Sequence, residues 1–284
     1  MAEATFPGSY ESATEYVRHH LGFMKFGQKF DGSWGFAESM EEAAQMGFWA
    51  LHVDTMMMSL LLGAVFLGIF YFVSRRLNPD VPGPLQNFCE ALIEIVQTNV
   101  SQTFFHRNDA IAPLALTIFC WIFLMNLMDL VPVDWIPLSA QVVAQDYHMY
   151  FKAVPTTDLN ITLGFAISVF IMMIYYSIKI KGVGGFLGEF AFHPFGKWAM
   201  PFNIIMELPG FLAKPVSLAL RLYGNMFAGE VIFLVIAIVG YFQLPLHFAW
   251  AVFHILIITL QAYLFMMLTI VYLNQAHNVP NESH

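Results

Sequence analysis

The chain has 284 residues, of which 58% are hydrophobic and only 11% charged, and its mean hydropathy is +0.63. Soluble domains carry about 25% charged residues, so this chain has too few charges to cover a water-facing surface. The net charge of −8, with no dense basic cluster, argues against nucleic acid as a partner. Cys89 and Cys120 stand far apart in apolar stretches and are expected to be buried thiols. Composition therefore predicts a polytopic membrane protein.

The chain begins with a polar, acidic segment over residues 1–53, which we expect to be external, with the N-terminus on the non-cytoplasmic side. An uncharged run then predicts a spanning helix over 54–75. This helix ends at Arg75 and Arg76, and the positive-inside rule places that end in the cytoplasm. Asp54 marks the outer edge, either as a water-facing acid near an ion entrance or as an interfacial cap.

Residues 84–104 are predicted to form an amphipathic helix on the membrane surface. Its apolar residues recur at helical spacing, but its two glutamates make spanning unfavourable. Two more spans are predicted at 110–131 and 158–178. The connection between them, 132–157, has Lys152 as its only basic residue, which favours an external loop.

The last two apolar regions, 199–240 and 244–276, are longer than one membrane crossing requires. At ~1.5 Å per residue each exceeds a hydrocarbon core of about 30 Å, so we expect strongly tilted helices in an antiparallel hairpin. Such a hairpin exposes a broad lateral face that suits a large partner inside the membrane. The predicted fold is all-α, with about five crossing helices and one interfacial helix in a membrane domain over 54–284. The C-terminus is then cytoplasmic.

Three ionisable residues occur in one apolar stretch, KPVSLALRLYGNMFAGE (Lys214–Glu230). A charge at bilayer depth costs roughly 2.5–3.5 kcal/mol, and such residues usually face a protein interior or a water-filled ion path. Lys214 can extend to the cytoplasmic interface. Arg221 and Glu230 cannot, and they predict an ion-conducting function.

In an antiparallel hairpin, each residue of one helix lies at the same membrane depth as a particular residue of the other helix. With the turn near residue 241, residues whose numbers add up to about 483 lie level with one another. Arg221 is then level with Gln261, and Glu230 with His254, about 13 Å further along the axis. We expect Gln261 to orient Arg221, and Glu230 and His254 to form a protonatable pair.

Helical spacing also separates two faces. Ser217, Arg221 and Asn225 are one turn apart and share a face, whereas Glu230 points to the other side at ~100° per residue. Glu207 falls near the Arg221 face, on its cytoplasmic side. One acid therefore lies outward of Arg221 and one inward, which indicates two aqueous paths separated by a fixed positive charge.

Purely structural roles remain open for the same residues. Arg221 could be a buried ion-pair partner, Glu230 a hydrogen-bonding group and His254 a core histidine. Gln261 and Asn225 could simply join helices, and the hydroxyl of Ser217 could serve packing.

The Lys214–Glu230 stretch resembles subunit a of bacterial rotary ATP synthases, as do HILIITLQAYLFMMLTIVYL (His254–Leu273) and APLALTIFCWIFLMNLMDLVP (Ala112–Pro132). The resemblance covers roughly residues 50–275. It implies a stationary subunit in the bacterial inner membrane that packs against a ring of c subunits and is held by subunit b. It also implies two proton half-channels, with no cofactor, no metal and no bond chemistry in this chain.

The resemblance carries over to individual positions. Arg221 matches the family's essential arginine, and Glu207 matches an acid near the cytoplasmic exit. The polar positions of the family's proton path correspond to Glu230, His254, Gln261 and Asn225, and we add Ser217 because it shares the Arg221 face.

Two other functions compete with this interpretation. A stand-alone secondary proton transporter would often contain inverted repeats, and no convincing repeat is visible. A structural membrane anchor would not need Arg221 and Glu230 at depth. A redox subunit is disfavoured further, because neither paired histidines at haem spacing nor a cysteine cluster occurs.

Overall fold

The computed structural model describes residues 12–30, 32–37, 39–47, 49–78, 81–106, 108–145, 149–192 and 200–278. The three strands of these parts are β1 (Lys25–Gln28), β2 (Trp34–Phe36) and β3 (Leu51–His52). The helices are α1 (Ala13–His20), α2 (Met40–Gln45), α3 (Val53–Arg75), α4 (Pro84–Thr103), α5 (Ile111–Leu127), α6 (Trp135–Ala144), α7 (Leu159–Phe192), α8 (Met200–Ala237) and α9 (Gln243–His277).

Five helical stretches in the described parts are long and apolar enough to cross a membrane. They are Val53–Arg75, Ile111–Leu130, Leu159–Gly188, Met200–Ala237 and Gly240–His277. Only short strands accompany them, so the prediction of an all-α polytopic membrane protein is confirmed. Helix α4, Pro84–Thr103, is amphipathic, because Cys89 and Val96 are buried while the polar residues Glu90, Glu94 and Gln97 are exposed. Its place on the membrane surface stays a prediction.

The last two helices are the longest of the structure. Helix α8 has 38 residues and α9 has 35, so at ~1.5 Å per residue both exceed a hydrocarbon core of about 30 Å. Pro209 and Pro215 lie inside α8, where each removes one backbone donor. The helices are joined by the short turn Gly240–Phe242, which starts at a glycine with a φ of 75°. The tilt of both helices remains a prediction.

Helix α7 reaches further than the predicted span at 158–178. Its regular part ends at Gly182, whose φ of 72° and ψ of 164° interrupt the helix. A backbone of that kind is strained for residues with a Cβ, which explains why a glycine occupies the break. Residues 183–192 then continue as a second, short helical piece.

The chain divides into two compact units, each built from three stretches. The first unit combines residues 1–65, 123–161 and 224–259, and the second combines 66–122, 162–223 and 260–284.

In the first unit the N-terminal segment is ordered into α1, α2 and an antiparallel sheet in the order β2-β1-β3. Ser12 and Ser39 cap α1 and α2, since each side chain accepts a hydrogen bond from the backbone N–H three residues on. Strand β3 ends at His52, and α3 begins at the next residue. The sheet is therefore joined to a membrane-crossing helix without a linker.

Asp54 fastens this N-terminal segment to the start of α3. Its Oδ2 accepts backbone hydrogen bonds from Met24 at 3.0 Å and Lys152 at 2.9 Å, and its Oδ1 accepts one from Thr55 at 2.8 Å. The side chain is buried, so the interpretation as a water-facing acid is wrong. Its bond to the Thr55 N–H is a contact with the first turn of α3, and its place at the membrane interface stays a prediction. One carboxylate thus holds three segments of the chain together.

The second unit has an apolar core formed by α4, α5, α7 and α9. Val96, Ile111, Met173, Met266 and Ile270 all lie in this core and are almost fully buried. Cys89 and Cys120 belong to the same unit, and both are free, buried thiols as predicted.

Candidate functional site

Four ionisable side chains of the first unit are buried together. Lys152 Nζ lies 3.1 Å from Glu230 Oε2, and His254 Nε2 lies 2.6 Å from Asp129 Oδ2. Each of the four side chains is at most 5% exposed. Removing charges from water costs several kcal/mol per ion unless each has a partner. The two pairs supply those partners, and we call Asp129, Lys152, Glu230 and His254 the buried cluster.

The four residues come from four separate elements. Asp129 lies in the turn Met128–Leu130 that ends α5, Glu230 lies on α8 and His254 on α9. Lys152 belongs to the extended segment before the turn Pro155–Thr157, and its backbone N–H is the one held by Asp54. The cluster is therefore a product of tertiary structure.

A glycine makes room for the histidine. A Cβ added at Gly229 would overlap Cε1 of His254 and lie 2.9 Å from its Nδ1, so no larger residue fits without moving the ring. Gly229 and His254 therefore face each other across the α8–α9 hairpin, within one residue of the register expected from the turn. Phe233 and Trp250 also contact the imidazole, with ring centroids 5.4 Å and 6.0 Å away.

Lys152 is enclosed as well as paired. Its ammonium lies 4.7 Å from the ring centre of Phe23 and 5.8 Å from that of Phe227. Aromatic faces attract cations, and the attraction is stronger where water is excluded. These contacts hold the ammonium at the carboxylate of Glu230.

A small cavity reaches the buried cluster from the N-terminal segment. His20, Asp129, Lys152 and Glu230 are among its lining residues, and it has room for a water molecule. The ring nitrogen Nδ1 of His254 and both polar side-chain atoms of Asn126 are buried, and the described residues offer them no hydrogen-bond partner. Water is the natural partner for such groups.

Two further histidine–carboxylate pairs lie in the same unit, outside the spanning helices. His20 Nε2 lies 3.0 Å from Asp134 Oδ1, which also accepts a 3.0 Å hydrogen bond from Tyr16. The hydrogen bond from His20 lowers the pKa of Asp134, outweighing burial, which acts in the opposite direction. The Asp134 side chain is 44% exposed, so this pair connects the cavity lining to the surface.

The second pair is His52 Nδ1 with Asp158 Oδ2, at 2.6 Å. Thr55 donates a 2.8 Å hydrogen bond to the same oxygen. Burial raises the pKa of Asp158, but the hydrogen bond and charge of His52, with smaller contributions from Asn160 and Thr55, leave it lower than usual. This pair joins β3 to the start of α7.

The predicted polar residues of α8 are arranged differently. Arg221, Ser217 and Asn225 are all exposed, as is Glu207. Exposed positions recur along this part of α8 at helical spacing, namely Val216, Ser217, Leu220, Arg221, Gly224, Asn225 and Ala228. Arg221 thus lies on an uncovered helix face with several small residues. We call this the Arg221 face.

The remaining predictions have mixed outcomes. Glu230 and His254 are both in the buried cluster, but their short contacts go to Lys152 and Asp129, so the direct Glu230–His254 pair stays a prediction. Gln261 is buried, and its role in orienting Arg221 also stays a prediction. Lys214 donates a 3.2 Å hydrogen bond to Gln275 and lies near the rings of Phe211 and Tyr272.

Sequence reasoning missed Asp129 and Lys152 as site residues. Asp129 ends an apolar span, where an acid is usually an interfacial residue. Lys152 was interpreted only as the single basic residue of an external loop, but residues 135–144 of that loop form α6 and Lys152 is buried. Lys152 could have been predicted as a site residue because it is the only basic residue of 132–157, and a buried acid such as Glu230 needs a positively charged partner. Among the described residues, no group of three or more potential metal ligands occurs.

Comparison with known proteins agrees with this architecture. Residues 56–274 match the family described as ATP synthase A chain. The chain is similar to ATP synthase subunit a 2 of Hahella chejuensis, with 55% identity covering 95% of this chain and 98% of the relative. It is also similar to ATP synthase subunit a of a Marinomonas species, with 54% identity over 94% of this chain and 97% of the relative. ATP synthase subunit a of Thiobacillus denitrificans is 52% identical over 94% of this chain and 97% of that relative. The chain therefore belongs to the ATP synthase A chain family.

Proposed function

We propose that this chain is the stationary proton-channel subunit of an ATP synthase and that Arg221 faces the carboxylates of a rotating ring of c subunits. The observation that carries the proposal is that Arg221 is an exposed residue in the middle of a long apolar helix able to cross a membrane. A charge there is unfavourable in lipid. It becomes favourable if a partner with an acidic group covers the Arg221 face.

The shape of this face supports a helical partner. Ser217, Gly224 and Ala228 are small, and a Cβ added at Gly224 would meet nothing within 4 Å. Small residues allow two membrane helices to approach closely. A ring of c subunits presents such helices, and subunit b would hold this chain stationary beside them.

The outer path would run through the first unit. It starts at the half-exposed Asp134, passes His20 and the small cavity, and reaches the buried cluster at Glu230. Carboxylates, imidazoles and ordered water can pass a proton in steps. Lys152 would balance the charge of Glu230, so that a proton can leave without exposing an unpaired acid.

The inner path would start on the other side of Arg221. Glu207 lies fourteen residues before Arg221 on α8, toward the end assigned to the cytoplasm. Ser217 and Asn225 line the Arg221 face, and Gln261 would orient the guanidinium. The chain would sit in the bacterial inner membrane with its N-terminus outside and its C-terminus in the cytoplasm.

The proposed mechanism uses only solvation and charge. Lipid favours the neutral, protonated form of a rotor carboxylate, and a nearby cation favours its ionised form. Close to Arg221 the carboxylate would release its proton inward, move on and be reloaded from the outer path. Arginine does not lose its own proton, so it would prevent direct leakage between the paths. A potential of 100 mV supplies about 2.3 kcal/mol per charge.

Disulfide crosslinking in the assembled complex tests the proposal. Ser217→Cys and Leu220→Cys lie on the Arg221 face, and Leu61→Cys lies at an exposed position of α3. We expect only the first two to crosslink to a cysteine placed beside the rotor carboxylate. Equal crosslinking from Leu61→Cys, or none from the α8 positions, would contradict the proposal. Proton transport by this chain alone in liposomes would favour a stand-alone transporter instead.

A further inference from the structure

The N-terminal sheet has two unlike faces. Phe26 is paired directly with Phe36 on β2 and with Leu51 on β3, so these three side chains form a row on one face. Trp34, two residues before Phe36, points to the same side. We call Phe26, Trp34, Phe36 and Leu51 the aromatic face.

The opposite face packs against the protein itself. A Cβ at Gly27 would touch Ala50 at 3.2 Å and Met46 at 3.4 Å. His52 stacks on Phe23, with centroids 4.4 Å apart, and is bonded to Asp158. This face therefore already has its buried neighbours.

The aromatic face is uncovered. Trp34, Phe36 and Leu51 are 63%, 50% and 45% exposed, and the nearby Phe30 and Trp49 are 95% and 84% exposed. Phe30, Trp34 and Trp49 also line one surface hollow, together with Gln28, Lys29 and Gln45. An antiparallel sheet with one face on its core normally presents polar residues on the other. Here, apart from Gln28 on β1, the outward side chains of the strands are apolar, so water is not the expected neighbour of most of this face.

The position of the sheet identifies that neighbour. Strand β3 runs into α3 without a linker, and β1 is only four residues long, or about 13 Å at ~3.3 Å per residue. The first turns of α3 expose Met56, Met57 and Leu60, which continue the apolar surface toward the bilayer core. Tryptophan and other amphipathic aromatic residues are enriched at the membrane–water boundary.

We propose that the aromatic face lies in the lipid headgroup region at the end of the bilayer where α3 begins. The sheet then anchors the N-terminal segment, including His20 and Met24, over the cavity that leads to the buried cluster. The lipid contact itself rests on the exposure and connectivity of the sheet and does not depend on proton conduction or on Arg221.

Fluorescence quenching in the assembled complex tests the lipid contact. A bimane label is placed at Trp34→Cys or Trp49→Cys, with Glu41→Cys on the exposed surface of α2 as the matched control. The vesicles contain a phospholipid with a nitroxide near its headgroup. We expect at least about twofold stronger quenching at positions 34 and 49 than at 41, because lipid surrounds the aromatic face. Equal quenching at all three positions would overturn the proposal.

A photocrosslinker separates lipid from a protein partner. Benzoylphenylalanine replaces Phe36 in the complex in native membranes and is compared with the same residue at position 41. We expect phospholipid adducts from position 36 and none from position 41. Adducts of position 36 with another subunit, or with a second copy of this chain, would overturn the lipid assignment.

Discussion

The ionisable side chains of the buried cluster are buried and paired, whereas Arg221 on the Arg221 face is exposed, although Glu230 and Arg221 belong to the same helix. In the buried cluster every ionisable side chain has a short contact within the chain, at 2.6 Å or 3.1 Å. On the Arg221 face the arginine is an exposed residue. Within the chain, Glu230 has the buried cation Lys152 as its partner, whereas Arg221 is not buried against the chain. This difference motivates the proposal that the partner of Arg221 comes from another subunit, whereas Glu230 is paired within the chain.

The largest expected effect is at Arg221. Arg221→Ala should reduce proton-driven ATP synthesis in inverted membrane vesicles by roughly 100-fold or more, because no fixed cation would then ionise the rotor carboxylate. The complex should still assemble, because the fold of the chain does not bury this side chain. Arg75→Ala, at an exposed helix end, is the matched control. Coupled synthesis near the wild-type rate in Arg221→Ala would remove the central role of the guanidinium.

Lys152 should be the next most sensitive position. Lys152→Met leaves Glu230 buried beside Asp129 without its cation, and breaking a buried pair typically costs about 3–5 kcal/mol. We expect much less of the variant chain in the purified complex, measured by quantitative immunoblotting.

The double variant Lys152→Met/Glu230→Gln separates folding from conduction. It removes both charges and should recover assembly, while proton flux through the complex stays low. If Lys152→Met alone assembles and conducts protons normally, Lys152 does not balance Glu230.

Gly229→Ala should have a smaller effect confined to the buried cluster. The added methyl group displaces the imidazole of His254 and weakens its contact with Asp129, so proton flux should fall several-fold, by roughly 1 kcal/mol of barrier. Gly164→Ala on α7 is the control, because its Cβ would meet nothing within 4 Å. The flux is measured as quenching of a pH-sensitive dye in vesicles. Equal flux in both variants would show that the position of His254 is not critical.

The smallest effect is expected at Asp134, at the surface end of the proposed outer path. The pKa of Asp134 is lowered by His20, so its ionised form stabilises the fold at pH values above about 4, and this contribution is lost as the pH falls through the lowered pKa. Asp134→Asn should therefore destabilise the chain at pH 6 by at most about 1 kcal/mol, since the carboxylate is half exposed. Its difference from the wild type should disappear once the pH falls below the lowered pKa of Asp134.

Thermal unfolding of the detergent-solubilised complex over a pH series measures the stability difference between Asp134→Asn and the wild type. Asp109→Asn, which changes an exposed acid, is the control. A difference between Asp134→Asn and the wild type that is independent of pH would show that the charge of Asp134 is not responsible.

Much of the fold was predictable because membrane spans are a matter of length and hydropathy. The expected helices 54–75 and 199–240 are close in extent to Val53–Arg75 and Met200–Ala237 of the structure. Lipid requires long apolar helices whatever their neighbours, so their positions are visible in the sequence. Periodicity alone did not anticipate the small N-terminal sheet, whose strands have two to four residues. Nor did it predict α6, which occupies part of an expected loop.

The sequence by itself determined that Arg221, Glu230 and His254 lie in apolar helices, because a charge or imidazole in such a stretch is visible from composition and spacing. The hairpin register expected from the turn, with Glu230 level with His254, differs by one residue from the Gly229–His254 approach in the structure. Only the tertiary structure decided that Lys152 and Asp129 complete the buried cluster. Lys152 lies 78 residues before Glu230 in the chain. The physical reason is that a buried charge must find a partner in space, and spacing along a helix does not reveal which distant segment supplies it.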